Sequence, residues 1–215
     1  MTFGEDMIIT IGNSKGGVGK STIACNLAVA ASYENKKVLL VDADPQASSL
    51  NFRSIRETDD IKATAITTPT LHKDLKEFNS FDLIIIDSGG RDSVIFRSAI
   101  LACDALIIPV LPSVYDIWAT ADTLKIVEEA RVYNENLAVR FLLNMVMPNT
   151  IMSRETLNAL QENEEIPLLK NKLGARADFK NALVSGQGVV EFNKKSKAAQ
   201  ELMACYQEIM ALREG

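Results

Sequence analysis

The sequence predicts an α/β fold, a mostly parallel central sheet flanked by helices on both faces. Three observations carry that prediction. Short bursts of Val, Ile and Leu alternate with stretches of helical period along most of the chain. One burst leads through a glycine-rich turn directly into a helix. Two later bursts run into aspartates. The burst at 83–86 is continuously apolar, as a strand buried on both faces should be.

In order, the first strand is Met7–Ile11, followed by the turn at 13–19. From Lys20, apolar residues recur at three to four residues through Ile23, Leu27 and Ala30 or Ala31, which sets a helix. Residues 37–41, 83–86, Ala105–Val110 and 138–144 supply further strands. Helices are expected over 92–102, 116–134 and 154–163. The last third reads as a strand near 168–173, a helix over 176–185 and a closing helix over 196–212. No repeat or Pro/Ser-rich linker breaks the pattern, so residues 1–215 are expected to form one domain.

Composition narrows the class. A 47% hydrophobic fraction over 215 residues excludes a disordered chain, and a net charge of −5 excludes a generally basic nucleic-acid binder. No apolar run reaches the roughly 18 residues that span a bilayer. The start, Met1-Thr2-Phe3-Gly4-Glu5-Asp6, is acidic and unlike a secretory signal. Cys25, Cys103 and Cys205 are odd in number and far apart, which points to reduced, mostly buried thiols and a cytoplasmic location. His72 has no second His or Cys nearby with which to build a metal site.

The most informative stretch is Ser14-Lys15-Gly16-Gly17-Val18-Gly19-Lys20-Ser21-Thr22. A phosphate chain needs several backbone N–H donors converging on it, and glycines let the backbone curl and approach that closely. The helix that begins near Lys20 adds the partial positive charge of its N-terminus. Lys20 can reach the β- and γ-phosphates, and Ser21 can offer its hydroxyl to Mg²⁺. A strict P-loop reads G-x-x-x-x-G-K-[ST]. Gly19, Lys20 and Ser21 fit it, but Ser14 stands at the first glycine position, and a second lysine, Lys15, opens the loop.

Two carboxylate motifs follow. The strand at 37–41 runs into Asp42-Ala43-Asp44-Pro45-Gln46. Carboxylates at the C-terminal end of a central parallel strand stand where ligands bind in open α/β sheets. One can order Mg²⁺ and its waters, and the other can position an attacking water. A local reading is also open: Asp42 begins a loop and Asp44 caps the next helix, with Pro45 as its first residue. Leu83-Ile84-Ile85-Ile86-Asp87 has the Walker B pattern, delivering Asp87 to the Mg²⁺ shell. Ser88-Gly89-Gly90 then lets the next loop follow the γ-phosphate. Phe141-Leu142-Leu143-Asn144 is a later strand that ends in an amide.

Lys-Gly-Gly-Val-Gly-Lys-Ser-Thr at 15–22 resembles the deviant Walker A motif of the ParA/MinD ATPases, most closely the short ParA-type partition ATPases. That resemblance implies a P-loop NTPase fold with ATP and Mg²⁺ as cofactors. It implies that Lys15, Gly16, Gly17, Val18, Gly19, Lys20, Ser21 and Thr22 hold the nucleotide. Lys15 would reach across a homodimer to the partner's nucleotide, and Asp44, the second Asp of D-x-D-P-Q, would activate water. Ser21 and Asp87 would serve Mg²⁺, Asp42 would serve Mg²⁺ or a switch, and Asn144 would read adenine. Ser-Gly-Gly after Asp87 departs from the Thr or Leu then Pro or Gly that the family often has there.

The segment 166–199 holds Lys170, Lys172, Arg176, Lys180, Lys194, Lys195 and Lys197 against Asp178 and Glu191. Such a segment in an acidic chain can hold DNA phosphates non-specifically. An ordinary solvated helix surface is the other reading. By resemblance it would bind nucleoid DNA, with a ParB-like or ParG-like adaptor stimulating hydrolysis. A MinD-like membrane role needs a basic amphipathic closing helix, whereas 198–215 carries three Glu and one Arg. No membrane partner is therefore expected. The phosphate loop begins within the first fifteen residues, so no N-terminal helix-turn-helix domain is expected either. A ligase of the dethiobiotin or cobyrinate synthetase type uses related P-loops, but Lys15 and Asp-Pro-Gln argue against it. Arg91 is expected near the switch loop.

Overall fold

In a computed structural model, which describes residues 7–90 and 93–213, the apolar bursts become six strands. These are β1 (Met7–Ile11), β2 (Val38–Ala43), β3 (Ile61–Ala65), β4 (Leu83–Ser88), β5 (Ala105–Val110) and β6 (Ala138–Leu143). Every pairing is parallel, in the order β3-β2-β4-β1-β5-β6. The helices are α1 (Lys20–Tyr33), α2 (Ser48–Ile55), α3 (Leu71–Asp74), α4 (Val94–Ala102), α5 (Val114–Arg131), α6 (Ile151–Gln161), α7 (Ala177–Val184), α8 (Val189–Phe192) and α9 (Lys197–Met210).

The side-chain period of two along each strand divides the core into two faces. Ile9, Ile11, Leu83, Ile85 and Ile107 pack with α1, α7, α8 and α9. Ile84 and Ile86, and Leu106 and Ile108, turn the other way, toward α3 and α4 and toward α4, α5 and α6. Helix α9 buries Leu202, Cys205, Tyr206 and Ile209, the disposition of a core-packed closing helix. All three cysteines are free and buried.

Three sequence expectations need correction. Residues 168–173 do not form a strand. Leu168 and Gly174 make isolated bridges to Phe141 and Val146. Between them, the backbone N–H groups of Lys170 and Asn171 donate to the Glu208 carboxylate, which breaks the ladder along β6. The helix after Asp-Pro-Gln starts at Ser48, not Pro45, with Ala47 at its N-cap. Asp44 does not cap it, because its Oδ1 accepts the Gln46 N–H in a turn of its own. Finally, the edge strand β3 lies outside the sequence expectations.

One buried cation ties α2 to the turn between α7 and α8. Arg56 donates in two forks, to Asp60 at 2.7 and 2.8 Å and to Glu191 at 2.7 and 2.8 Å, and to the Gly186 carbonyl at 3.0 Å. Burial alone would raise the pKa of Asp60, but hydrogen bonds from Arg56, Ser32 and Thr58 reverse this and hold it well below the usual carboxylate range. Arg56→Ala strands two carboxylates and a carbonyl, and should cost about 2–3 kcal/mol at neutral pH, less than a fully buried pair because the acids are partly exposed. A depressed carboxyl contributes stability fully above its unfolded pKa of about 4 and loses it as pH falls toward the folded value. Urea melts should therefore show a gap between wild type and variant that is wide at pH 7 and narrower near pH 3.

Candidate nucleotide-binding site

The parallel order brings the ends of β1, β2, β4 and β6 to one edge of the sheet. Ile11 pairs with Asp87, and Asp87 with Asp42, so both carboxylate-tipped strands end beside the phosphate loop. Gly17 (φ 78°) and Gly19 (φ 91°) hold the left-handed conformations that curl the loop. A Cβ built at Gly19 would lie 2.5 Å from Asn144 Nδ2, so the space is closed as well.

Lys20 opens α1 and is buried, its Nζ donating to the Lys15 carbonyl at 3.0 Å. Desolvation lowers its pKa, opposed by the charges of Asp87 and Asp44. Lys15 points elsewhere. Its Nζ lies 2.8 Å from Asp116 Oδ2 in the first turn of α5, with the lysine side chain one-third exposed (33%) and the aspartate buried.

Asp87 is fully buried and accepts from Ser49 Oγ at 2.6 Å through Oδ2. Its Oδ1 is buried with no hydrogen-bond partner. Burial pushes its pKa up to about 6, against the Ser49 hydrogen bond and the nearby Ser21 hydroxyl, which pull it down. Asp42 is differently engaged. Oδ2 accepts the N–H groups of Ser49 and Leu50 at 2.8 and 2.9 Å, and Oδ1 that of Asp44 at 3.1 Å. Asp42 thus holds the first turn of α2, the capping work expected of Asp44. Asp44 is half-buried and leans over the loop after β4, where a Cβ on Gly89 would lie 3.5 Å from its Cγ.

Beside the loop opens a cavity of about 330 Å³ lined by Thr22, Ile23, Asn144, Met145, Phe179 and Lys180 among others. Its walls are mainly apolar, as a planar base requires. The Asn144 amide donates to the Val18 carbonyl at 2.8 Å and accepts the Met145 N–H, bracing the loop against the cavity wall.

Residues 9–189 match the family model described as the CobQ/CobB/MinD/ParA nucleotide binding domain. The chain belongs to this family. Maintenance of carboxysome distribution protein A of Halothiobacillus neapolitanus is 30% identical over 207 residues, covering 94% of each protein. The Cyanothece McdA–ATP complex resembles this fold with a TM-score of 0.80 at 18% identity, covering 98% of this chain and 97% of that one. MinD from Pyrococcus horikoshii, solved with Mg-ADP, does so with a TM-score of 0.77 at 22% identity, covering 97% of each. At these identities the two structures speak to fold.

For a CobQ/CobB/MinD/ParA nucleotide-binding domain, the residues fit a phosphate chain with a hydrated divalent cation. The unpartnered Asp87 Oδ1, next to Ser21, is an acceptor aimed at a buried place where a cation's water can donate. The basic residues of 170–197 are spread over α7, α9 and the loops beside them. Arg176 pairs with Glu201 at 2.7 Å. Lys180 lines the cavity beside Thr22, while Lys194 sits over Tyr33 and donates to its hydroxyl at 2.5 Å. Thr22 and Tyr33 stand about 16 Å apart along α1 by helix rise. Lys170, Lys172, Lys195 and Lys197 are exposed. Arg91 lies outside the described residues. Sequence reasoning missed Ser49, Asp116 and Thr123, three polar residues that touch the loop or its carboxylates.

Proposed function

We propose that this protein is a ParA-like positioning ATPase that dimerises around two Mg·ATP, binds DNA non-specifically as the dimer and releases it on hydrolysis. The observation that carries the reading is the division between the two loop lysines. Lys20 is buried and bonded within its own loop, whereas Lys15 stands at the rim in a one-third exposed ion pair with Asp116. A lysine at the mouth of its own cradle, able to exchange one carboxylate for phosphate, suits contact with a nucleotide held by a second copy. Lys20 and the loop N–H groups orient the phosphates, the cavity beside Asn144 takes the base, and Asp44 positions water. Ser21 and Asp87 would hold Mg²⁺, which when bound screens the phosphate charge.

A ParB-like or ParG-like adaptor would stimulate hydrolysis at the nucleoid. The cargo is plasmid or chromosomal DNA, or a protein assembly. The relative named for carboxysome distribution, matched over nearly its full length, favours a protein assembly. Among the described residues no helix is long and apolar enough to cross a membrane, and the core-packed α9 argues against a membrane-surface role. The deciding experiment measures binding to random-sequence duplex DNA with ATP, ADP or no nucleotide. Binding should need ATP and fall at least tenfold between about 50 and about 200 mM salt. Binding in no state would remove DNA from the reading. Liposome binding with ATP would favour the MinD-like alternative, and turnover only with a small carboxylate acceptor would favour the ligase.

A further inference from the structure

The departure of Ser14 from the strict phosphate-loop pattern has a structural counterpart across the molecule, in α5. Ser14 is not among the residues with positive φ, so its Cβ carries no left-handed strain. The position needs an anchor more than it needs glycine. Thr123, fully buried on α5, supplies one. Its Oγ1 accepts the Ser14 N–H at 3.1 Å and donates to Ser14 Oγ at 3.0 Å, with Asn13 Oδ1 at 3.3 Å. Asn13 Oδ1 in turn accepts the Lys15 N–H at 2.9 Å, and Asn13 Nδ2 donates to the Pro109 carbonyl at 2.8 Å. The leading edge of the loop is thus bonded to α5 and to the end of β5 before any ligand arrives.

Asp116 and Thr123 are seven residues apart, two turns on one face of α5. The helix therefore grips the loop twice, at Lys15 and at Ser14. Under the ATPase reading, on which this inference rests, Lys15 leaves its partner when a second copy arrives. The Thr123 contact has no such alternative use and can persist through the cycle. We propose that Thr123 is a positioning residue for nucleotide binding, fixing through its hydroxyl the curvature that makes the loop N–H groups converge on phosphate. It touches no ligand and acts through Ser14 and Asn13. Preorganised donors bind more tightly because they need no reordering on contact.

The test compares Thr123→Val, which keeps the shape and deletes the hydroxyl, with Thr123→Ser, which keeps the hydroxyl. The readouts are binding of a fluorescent ATP analogue, with Mg²⁺ and in excess chelator, and steady-state hydrolysis. T123V should weaken nucleotide binding about tenfold in both conditions and raise KM similarly, with kcat within about twofold, while T123S stays near wild type. A purely structural role would lower the melting temperature of both variants and leave the KM-against-kcat split unmoved. Wild-type affinity in T123V overturns the proposal, as does T123S as weak as T123V. If T123V does not fold, Ser14→Ala takes its place: about threefold weaker binding supports the proposal and unchanged binding overturns it. Failure of the wild-type protein to bind the nucleotide would overturn the underlying ATPase reading.

Discussion

Lys15→Ala should cut adaptor-stimulated ATP hydrolysis at least a hundredfold while leaving ATP binding to the monomer within a few-fold of wild type. Lys15 serves the local cradle through its backbone, its carbonyl accepting from Lys20 and its N–H donating to Asn13. The substitution leaves that carbonyl, together with Lys20, Ser21 and the glycines, in place. What it removes is a one-third exposed positive charge at the mouth of the site. A cation supplied in trans to transferring phosphate accounts for roughly 10³–10⁵ in rate in other phosphoryl-transfer enzymes, so a hundredfold loss is a conservative expectation. Asp116→Asn is the mirror experiment. It keeps the size of the side chain but releases the charge that holds Lys15 at 2.8 Å, and should raise the fraction of ATP-dependent dimer. Light scattering with ATP, alongside single-turnover hydrolysis, measures both. Normal stimulated turnover in Lys15→Ala would remove the trans role.

The elements legible in the sequence were those whose signal is local. The strands other than β3 are apolar-rich runs, interrupted only by Thr10 in β1 and Arg140 in β6 ahead of the polar ends of β2 and β4, and the phosphate loop is contiguous in the chain. Edge strand β3 escaped because Ile61 is its only fully buried residue, so Lys62, Ala63, Thr64 and Ala65 gave no apolar run. Helix α2 starts later than the sequence suggests because its first turn is held by the Asp42 carboxylate and not by Asp44 before Pro45. The same physics hid the supporting residues of the site. Ser49 reaches Asp87 from 38 positions away and Thr123 reaches Ser14 from 109. A Thr inside a helical pattern carries no mark that its face is buried against a loop so far off. The basic segment is contiguous in the sequence, and the fold divides it among α7, α9 and the loops beside them, with Lys180 at the cavity and Lys194 at Tyr33.

Asp44→Asn should lower hydrolysis at least a hundredfold with ATP affinity nearly unchanged, trapping the ATP-bound dimer. Asparagine is the informative replacement because its Oδ1 can still accept the Gln46 N–H, which Asp44 does at 2.9 Å, so the turn into α2 survives. What is lost is a negative charge over Gly89, close enough for Lys20 to respond to it. Positioning and deprotonating water by such a group contributes roughly 10²–10⁴ in rate. The neighbouring aspartates separate cleanly here. Asp42 accepts three backbone N–H groups and belongs to the framework, and Asp87 is buried against Ser49 with one oxygen left for a cation's water. Asp44 alone of the three is half-buried, with one oxygen used by its own turn and its carboxyl leaning toward the glycines that follow β4. Nucleotide-dependent dimerisation followed by quantitation of released phosphate checks the prediction. A variant that turns over at the wild-type rate would move the water-positioning role away from Asp44.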